Sequence, residues 1–252
     1  MQVQILGSGT PLGLGGRLQA CILVQTADER RVLLDCGMTA LVSLARAGIA
    51  PETLDAIVIS HLHGDHFGGL PLVLLEHVLH SHARRRTPLT IAGPADLPRQ
   101  VQRALDVHGW PSVWERSQRL GKTRFVSLAA RVPLDVAGLK VTALEVPHDP
   151  ATAATALRVR ADNVLLAYSG DAGWSPSLVE AAAGADLFIC GVWSRDTPDP
   201  TFLNYASLLA HRHELTCGRL LLTHLGPSLL EQPPTSAADG LEWAADGLVL
   251  SL

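Results

Sequence analysis

The stretch His61-Leu62-His63-Gly64-Asp65-His66 decides how the rest of this chain is read. It packs three histidines and an aspartate into six residues, directly after Leu54–Ser60, an apolar run with the composition of a strand. Residues i and i+2 of an extended segment point to the same side, so His61 and His63 are placed to grip one ion. Gly64 permits a sharp turn, after which Asp65 and His66 address a second ion. Imidazole and carboxylate are the donors that zinc and similar metals take.

Three more residues follow separate apolar runs. His148 comes after Val141–Pro147, Asp171 after Val164–Gly170, and His224 after Arg219–Thr223. Four strand ends can meet at one edge of a sheet, where α/β folds place their ligands. Two neighbouring cations repel each other and need an anionic bridge. Asp171, in Ser169-Gly170-Asp171-Ala172-Gly173, is the best candidate, because the glycines beside it let the backbone come close. His148 then completes the first ion's set and His224 the second's. The other histidines read as solvated or supporting side chains. His77, His80 and His82 lie on or beside one helix with no carboxylate at a suitable spacing, and His211 and His213, two apart on a helix, face different ways. Neither set resembles the HExxH zinc motif.

At 252 residues there is ample chain for a core. Apolar residues are 47% and charged residues 17%, which excludes a disordered chain. No apolar run is long enough to cross a bilayer, and the N-terminus opens as a strand without a basic leader. Cys21, Cys36, Cys190 and Cys217 form no CxxC pair and read as free thiols, so the expected location is cytoplasmic. The net charge of −4 hides an uneven distribution: residues 81–131 hold ten basic residues against three acids. The bland reading is a solvated surface; the sharper one is a rim that draws an anionic substrate towards the metals. Arg17 and Arg84, Arg85 and Arg86 are the candidate substrate contacts.

Strand signals fall at 2–7, 20–26, 31–35, 55–60, 88–92, 124–128, 139–146, 154–160, 163–168, 186–190, 218–223 and 247–251. Helix signals lie between them, at 39–47, 70–82, 98–108, 176–183 and 204–215. Gln232–Gly240 reads as a loop before a final strand, and no internal repeat is visible. The order divides the chain into halves, roughly 1–127 and 128–252, of one domain spanning 1–252. The expected fold is α/β, two mixed sheets face to face with helices outside.

These residues resemble the metallo-β-lactamase superfamily. His61–His66 matches its HxHxDH signature, and His148, Asp171 and His224 follow in the expected order. Leu6-Gly7-Ser8-Gly9-Thr10, Leu33-Leu34-Asp35-Cys36-Gly37 and Leu221-Leu222-Thr223-His224 also resemble segments of it. The likeness implies an αββα sandwich with a dimetal site at one edge. His61, His63 and His148 would hold one metal, Asp65, His66 and His224 the other, with Asp171 bridging. Gly7–Thr10, Gly15-Gly16-Arg17 and His63–Pro71 resemble the phosphodiesterase branch, which includes ribonuclease Z and the cyclic phosphodiesterase of phosphonate breakdown. True β-lactamases usually carry arginine in place of His66 and lack the Asp171 bridge.

Three features depart from that branch. Only 22 residues separate His148 from Asp171, too few for the tRNA-gripping arm found on some ribonuclease Z enzymes, so tRNA is not expected as a partner. Related diesterases often carry a histidine in the stretch before the final ligand, where Phe202 stands here; Asn204, Tyr205 or His211 are the candidates to replace it. The cysteine cluster that binds a structural zinc in the phosphonate enzyme has no counterpart.

The expected function is metal-dependent hydrolysis of a small or cyclic phosphodiester. Two divalent ions, zinc with manganese or iron(II) as alternatives, lower the pKa of a water towards neutrality. Asp65 has two expected roles, as ligand to the second metal and as acceptor of the nucleophile's proton. Asp35 reads either as a carboxylate orienting a ligand histidine or as a turn cap. Hydrolysis of a lactone, thioester or carboxylic ester is the alternative, since those enzymes share the ligand set. A metal-binding module without turnover is the third reading. The expected partner is a small anionic substrate, without a membrane; a homodimer is left open.

Overall fold

The computed structural model describes residues 1–231 and 240–252; the loop expected over 232–240 lies, apart from Gly240, outside them. Strand alternation sets the layers. Val32 and Leu34 point into one core and Leu33 into another, and Ala56 and Val58 oppose Ile57 in the same way. Both faces of these strands are therefore apolar, as their unbroken apolar runs require.

The first sheet is built from β1 (Gln2–Gly7), β2 (Cys21–Gln25), β3 (Arg31–Leu34), β4 (Ala56–Val58), β5 (Leu89–Gly93) and β6 (Thr123–Ser127). The second is built from β7 (Leu134–Val136), β8 (Leu139–Glu145), β9 (Thr155–Ala161), β10 (Val164–Tyr168), β11 (Leu187–Gly191), β12 (Arg219–Thr223) and β13 (Leu241–Trp243). The last strand, β14 (Val249–Ser251), crosses back to pair with β1, so each sheet has seven strands. The division near residue 127 thus separates the sheets except for this strand.

The two sheets share one pattern. In the first, β14-β1-β2-β3 are antiparallel neighbours and β3-β4-β5-β6 parallel ones. In the second, β7-β8-β9-β10 are antiparallel and β10-β11-β12-β13 parallel. The architecture repeats where the sequence does not.

Val24, Leu34, Val58, Val159, Leu166 and Ile189 lie in the layer between the sheets, each fully buried. Cutting one of the leucines or isoleucines there to alanine is expected to cost about 2–5 kcal/mol. Helices α1 (Ala40–Arg46), α2 (Gly64–Phe67), α3 (Leu70–Glu76), α4 (Leu97–Val107) and α5 (Pro111–Leu120) follow strands of the first sheet, and α1, α3, α4 and α5 cover its outer face. Helices α6 (Pro176–Ala182), α7 (Tyr205–Ala210) and α8 (Pro227–Glu231) cover the second. This is the expected αββα sandwich.

Five elements escaped the sequence reading: the short helices α2 and α8, the strands β7 and β13, and helix α5. β7 and β13 have three residues each, too few to show a period. α5 buries only Val113 and Ser117, so its apolar face is thin. Its Pro111 start and left-handed Gly121 end were the usable signals. The helix expected over 70–82 is α3 followed by a π-helical turn, His77–Ser81. Among the described residues, no helix is long and apolar enough to cross a membrane.

Candidate metal centre

The parallel strands of both sheets end at one edge, and the seven sequence-selected residues gather there. His61 and His66 are fully buried, Asp65, His148, Asp171 and His224 nearly so, and His63 is half-buried. Two sets of ligand atoms each lie within 4.8 Å of one another: His61, His63, His148 and Asp171, and Asp65, His66, Asp171 and His224. Asp171 belongs to both. His63 Nδ1 is 3.2 Å from His61 Nε2 and 3.0 Å from His148 Nε2. His224 Nε2 stands 3.1 Å from Asp65 Oδ2 and 3.5 Å from Asp171 Oδ2.

The far side of each ring fixes which nitrogen faces inward. Asp35, fully buried at the end of β3, accepts from His66 Nδ1–H at 2.7 Å. Its carboxylate also accepts from the Ser60 backbone N–H, the Ser60 hydroxyl and the Tyr168 hydroxyl. Because Ser60 gives its proton to Asp35, its oxygen accepts from His61 Nδ1–H at 3.0 Å. His148 Nδ1–H donates to the Thr201 carbonyl at 2.8 Å, and His63 Nε2–H reaches Asp149 at 3.4 Å. The inward nitrogens of all four rings therefore carry lone pairs. Asp35 thus orients two rings rather than capping a turn.

Local backbone supports this arrangement. Asp35 and His224 both adopt left-handed conformations, with φ of 59° and 56°. Such residues cost on the order of 1 kcal/mol and concentrate at functional sites. Gly170 has φ of 56° and packs against Ser60, whose side chain a Cβ there would meet at 3.0 Å, so the residue before Asp171 needs to be glycine. Gly64 does not fill the expected role: it opens α2 without a positive φ, and a Cβ there would meet only Met38, at 3.7 Å.

Inward lone pairs facing buried carboxylates are a cation's surroundings. Among the described residues, neither His66 Nε2 nor Asp171 Oδ1 has a hydrogen-bond partner, although they are 3.4 Å apart. Asp35, Asp65 and Asp171 are buried, and among the described residues no lysine or arginine pairs with them. Burial pushes the Asp65 carboxyl up, but the neighbouring His224 and His66 rings win and hold it far below the usual range. Burial likewise opposes ionisation of Asp171, and His224 and His66 outweigh it. Burial holds His61 and His148 neutral, below their ordinary value. At His66 burial is overcome by Asp171 and Asp35, which raise its pKa well above normal. The carboxylates thus draw positive charge into the cluster at His66. The donor set fits divalent metal.

The arginine expectations need correction. Arg17 donates to Ser8 Oγ and the Ala244 carbonyl, both at 2.7 Å, and ties loops together. Arg84 pairs with Glu52, and Arg85 is buried against the carbonyls of Leu54 and Pro51. Arg84, Arg85 and Arg86 precede β5, at the end where the parallel strands begin, away from the cluster. The candidates to replace a histidine at Phe202 are also engaged elsewhere. Asn204 caps α7, Tyr205 packs near Trp243, and His211 stacks on Trp174 and pairs with Glu214. Phe202 itself lies edge-on to His148, with ring centres 4.7 Å apart.

A pocket of about 360 Å³ opens onto the cluster, with Met38, Trp193 and Phe202 among its walls. Sequence reasoning missed Trp193 and Met38. Trp193 follows β11 as His148, Asp171 and His224 follow their strands, but its indole offers no metal donor to mark it. Ser60 and Tyr168 were missed as well; Ser60 adjoins the motif and Tyr168 ends an inward-facing strand.

Fold and site together define a metal-dependent hydrolase of the metallo-β-lactamase fold. The chain belongs to the family described as anti-Pycsar protein Apyc1, whose model matches residues 1–238. Ribonuclease Z of Mycobacterium bovis is 27% identical over 201 residues, covering 78% of this chain and 71% of the relative. The metallo-β-lactamase fold protein YhfI of Bacillus subtilis superposes with a TM-score of 0.77 at 23% identity, over 99% of both chains. Human tRNase Z, short form, gives 0.73 at 20% identity, over 100% of this chain and 99% of that one. These likenesses overturn the expectation that tRNA is not a partner. The spacing between His148 and Asp171 tests only for one inserted arm, and proteins named ribonuclease Z and tRNase Z match without that criterion.

Proposed function

We propose that the chain is a dinuclear metal-dependent phosphodiesterase. The observation that carries this reading is the pair of four-residue donor sets sharing Asp171. His61, His63 and His148 would hold one cation and Asp65, His66 and His224 the other, with Asp171 between them. Zinc is favoured by donor type and affinity order, with manganese or iron(II) taken where supply dictates. Such ions, when bound, supply Lewis acidity to a phosphoryl oxygen and a nucleophile at neutral pH.

The chain's own residues do the rest. Asp65 stays ionised, so one of its oxygens can take the nucleophile's proton while the other serves as a ligand. Asp35, Ser60 and the Thr201 carbonyl hold the rings in one tautomer, so no reorganisation is needed during the reaction. Trp193 and Phe202 limit water at the mouth. Among the described residues no arginine lines the pocket to neutralise phosphoryl charge, so that task falls to the metal site.

Similarity to ribonuclease Z supports a phosphodiester substrate, either small or cyclic or the ester of an RNA strand, with tRNA among the candidates. Hydrolysis of a lactone or thioester is the second reading, favoured by the apolar mouth. We place the protein in the cytoplasm on its free cysteines, three of them buried.

The test combines elemental analysis with a substrate panel. The protein is expected to carry about two transition-metal ions and to hydrolyse bis(p-nitrophenyl) phosphate. Asp65→Ala is expected to lower that rate by at least about 10³, since metal-site charge stabilisation is worth several kcal/mol. Metal-free protein, or an unimpaired Asp65→Ala, sinks the proposal; turnover of lactones or thioesters alone selects the second reading.

A further inference from the structure

The last crossing between the two sheets passes beside the cluster. β13 pairs with β12, whose end leads into His224, and β14 pairs with β1, whose end leads into Ser8. Residues 244–248 join them. On one side the Ala244 N–H donates to the Leu222 carbonyl at 2.8 Å, and on the other the Gly247 N–H donates to the Ile5 carbonyl at 2.7 Å. Asp246 stands in the middle of this link.

The Asp246 carboxylate accepts three hydrogen bonds. Its Oδ1 takes the Ser8 backbone N–H at 2.9 Å and the Ser8 hydroxyl at 2.7 Å. Its Oδ2 takes the Leu18 N–H at 2.7 Å, and the Leu18 carbonyl in turn accepts from the Gly9 N–H at 2.7 Å. Ser8 is thus held by both its main chain and its side chain, and it is 1% exposed. Its carbonyl accepts from the His224 N–H at 3.1 Å, and the Thr223 hydroxyl reaches the same oxygen at 3.4 Å.

That hold falls on a residue in an uncommon conformation. The φ of 56° at His224 is left-handed, and a residue bearing a side chain keeps such a backbone where its surroundings impose it. Four rings of the cluster are fixed through their outer nitrogens. His224 is tied through its main chain, by a carbonyl that Asp246 sets in place.

We propose that Asp246 is a positioning residue for His224, acting through Ser8. It fixes the carbonyl that anchors the left-handed turn, and so directs the His224 ring at Asp65 and Asp171. This rests on the dimetal reading and extends the metal site's support to the crossing between β13 and β14.

The test places Asp246→Ala and Asp246→Asn in wild-type and His224→Ala backgrounds. Metal-stripped protein is titrated with cobalt(II), whose visible absorption reports each ion taken up. Asp246→Ala is expected to weaken the ion held by Asp65, His66 and His224 about tenfold, the lower end of what an outer partner of a ligand contributes. The ion at His61, His63 and His148 is expected to be unaffected. In the His224→Ala background the same substitution is expected to change neither affinity, because a residue acting through His224 has nothing left to act on. Asp246→Asn keeps one acceptor oxygen for Ser8, so a smaller loss confined to the same ion is expected, and it serves alone should the alanine variant fail to fold. Unchanged affinity, an equal loss at both ions, or a loss that persists without His224 overturns the proposal. The His224 imidazole NMR signals, identified by their absence in His224→Ala, give a reading that needs no metal. In metal-free protein they are expected to shift in the Asp246 variants while those of His61 stay, and unmoved signals overturn the positioning role. Wild-type protein that takes up no cobalt defeats the dimetal reading instead, and the NMR comparison still decides the role of Asp246.

Discussion

The first half of the chain buries histidines at both ends of its parallel strands, and the two groups behave oppositely. Where the strands end, His61 and His66 face Asp65 and Asp171 with inward lone pairs. Where they begin, His77 is 1% exposed within the π-helical turn, beside His82, Arg85 and Lys122. Among the described residues, neither ring nitrogen of His77 has a hydrogen-bond partner. The nearby Glu76 is already engaged by Ser81 and His80. Carboxylates raise the pKa of His66 against burial, whereas burial and then Arg85 push His77 down to about 4. Imidazole count does not make a metal site. What holds the far nitrogen, and the sign of the surrounding charge, decides it.

The sharpest way to break this contrast is to remove the charge that orients His66. Asp35→Asn keeps the shape but offers His66 Nδ1 a neutral amide. Outer partners of metal ligands contribute about 10–100-fold to affinity or activity, and a loss of that size is expected in metal titration and in diesterase rate. An unchanged metal affinity would reduce Asp35 to a packing residue and erase the distinction between the two ends.

Phe202→His probes the middle ground, because it adds a ring beside His148 while the neighbouring Asp199 carboxylate is already taken up by Thr201. A well-placed acid contributes 10²- to 10⁴-fold, so an unanchored one is expected to give about tenfold with alkyl leaving groups. Aryl leaving groups, which need little protonation, should respond less. Equal responses would show that no proton donor is missing from the pocket.

Much of this was legible in the chain. His61–His66 and the three strand-end residues stand out because donor residues at the ends of apolar runs are visible without knowing the fold. The contrast with His77 was only partly visible. Its lack of a spaced carboxylate could be read, but its proximity to Lys122 depends on how β5 and β6 pair. The arginines failed for a related reason. Arg84–Arg86 form a basic cluster in sequence, yet the end of the sheet they occupy is set by the crossover from α3 to β5. Phe202 was flagged as a missing histidine, while its partner Trp193 was passed over because aromatic residues after a strand carry no donor signal. Strands of three residues such as β7 and β13 are fixed by pairing with neighbours, which local composition does not encode.

His77→Leu gives the smallest effect and the cleanest test of the cation-rich end. Activity and metal content are expected to match the wild type, since His77 lies at the opposite end of the strands from the cluster. The difference belongs in stability against pH. The folded-state pKa of about 4 lies below the unfolded value near 6.5, so the unfolded chain binds the extra proton between them. Wild-type stability from this group is therefore complete above pH 6.5, falls as pH drops towards 4, and falls no further below that. The loss across the window is about 3 kcal/mol. Leucine lacks it, so denaturant midpoints for the variant should gain on the wild type between pH 6.5 and 4 while remaining close at pH 7.5. Parallel pH profiles would mean that His77 finds a proton partner after all, and the two ends of the sheet would differ less than their charges imply.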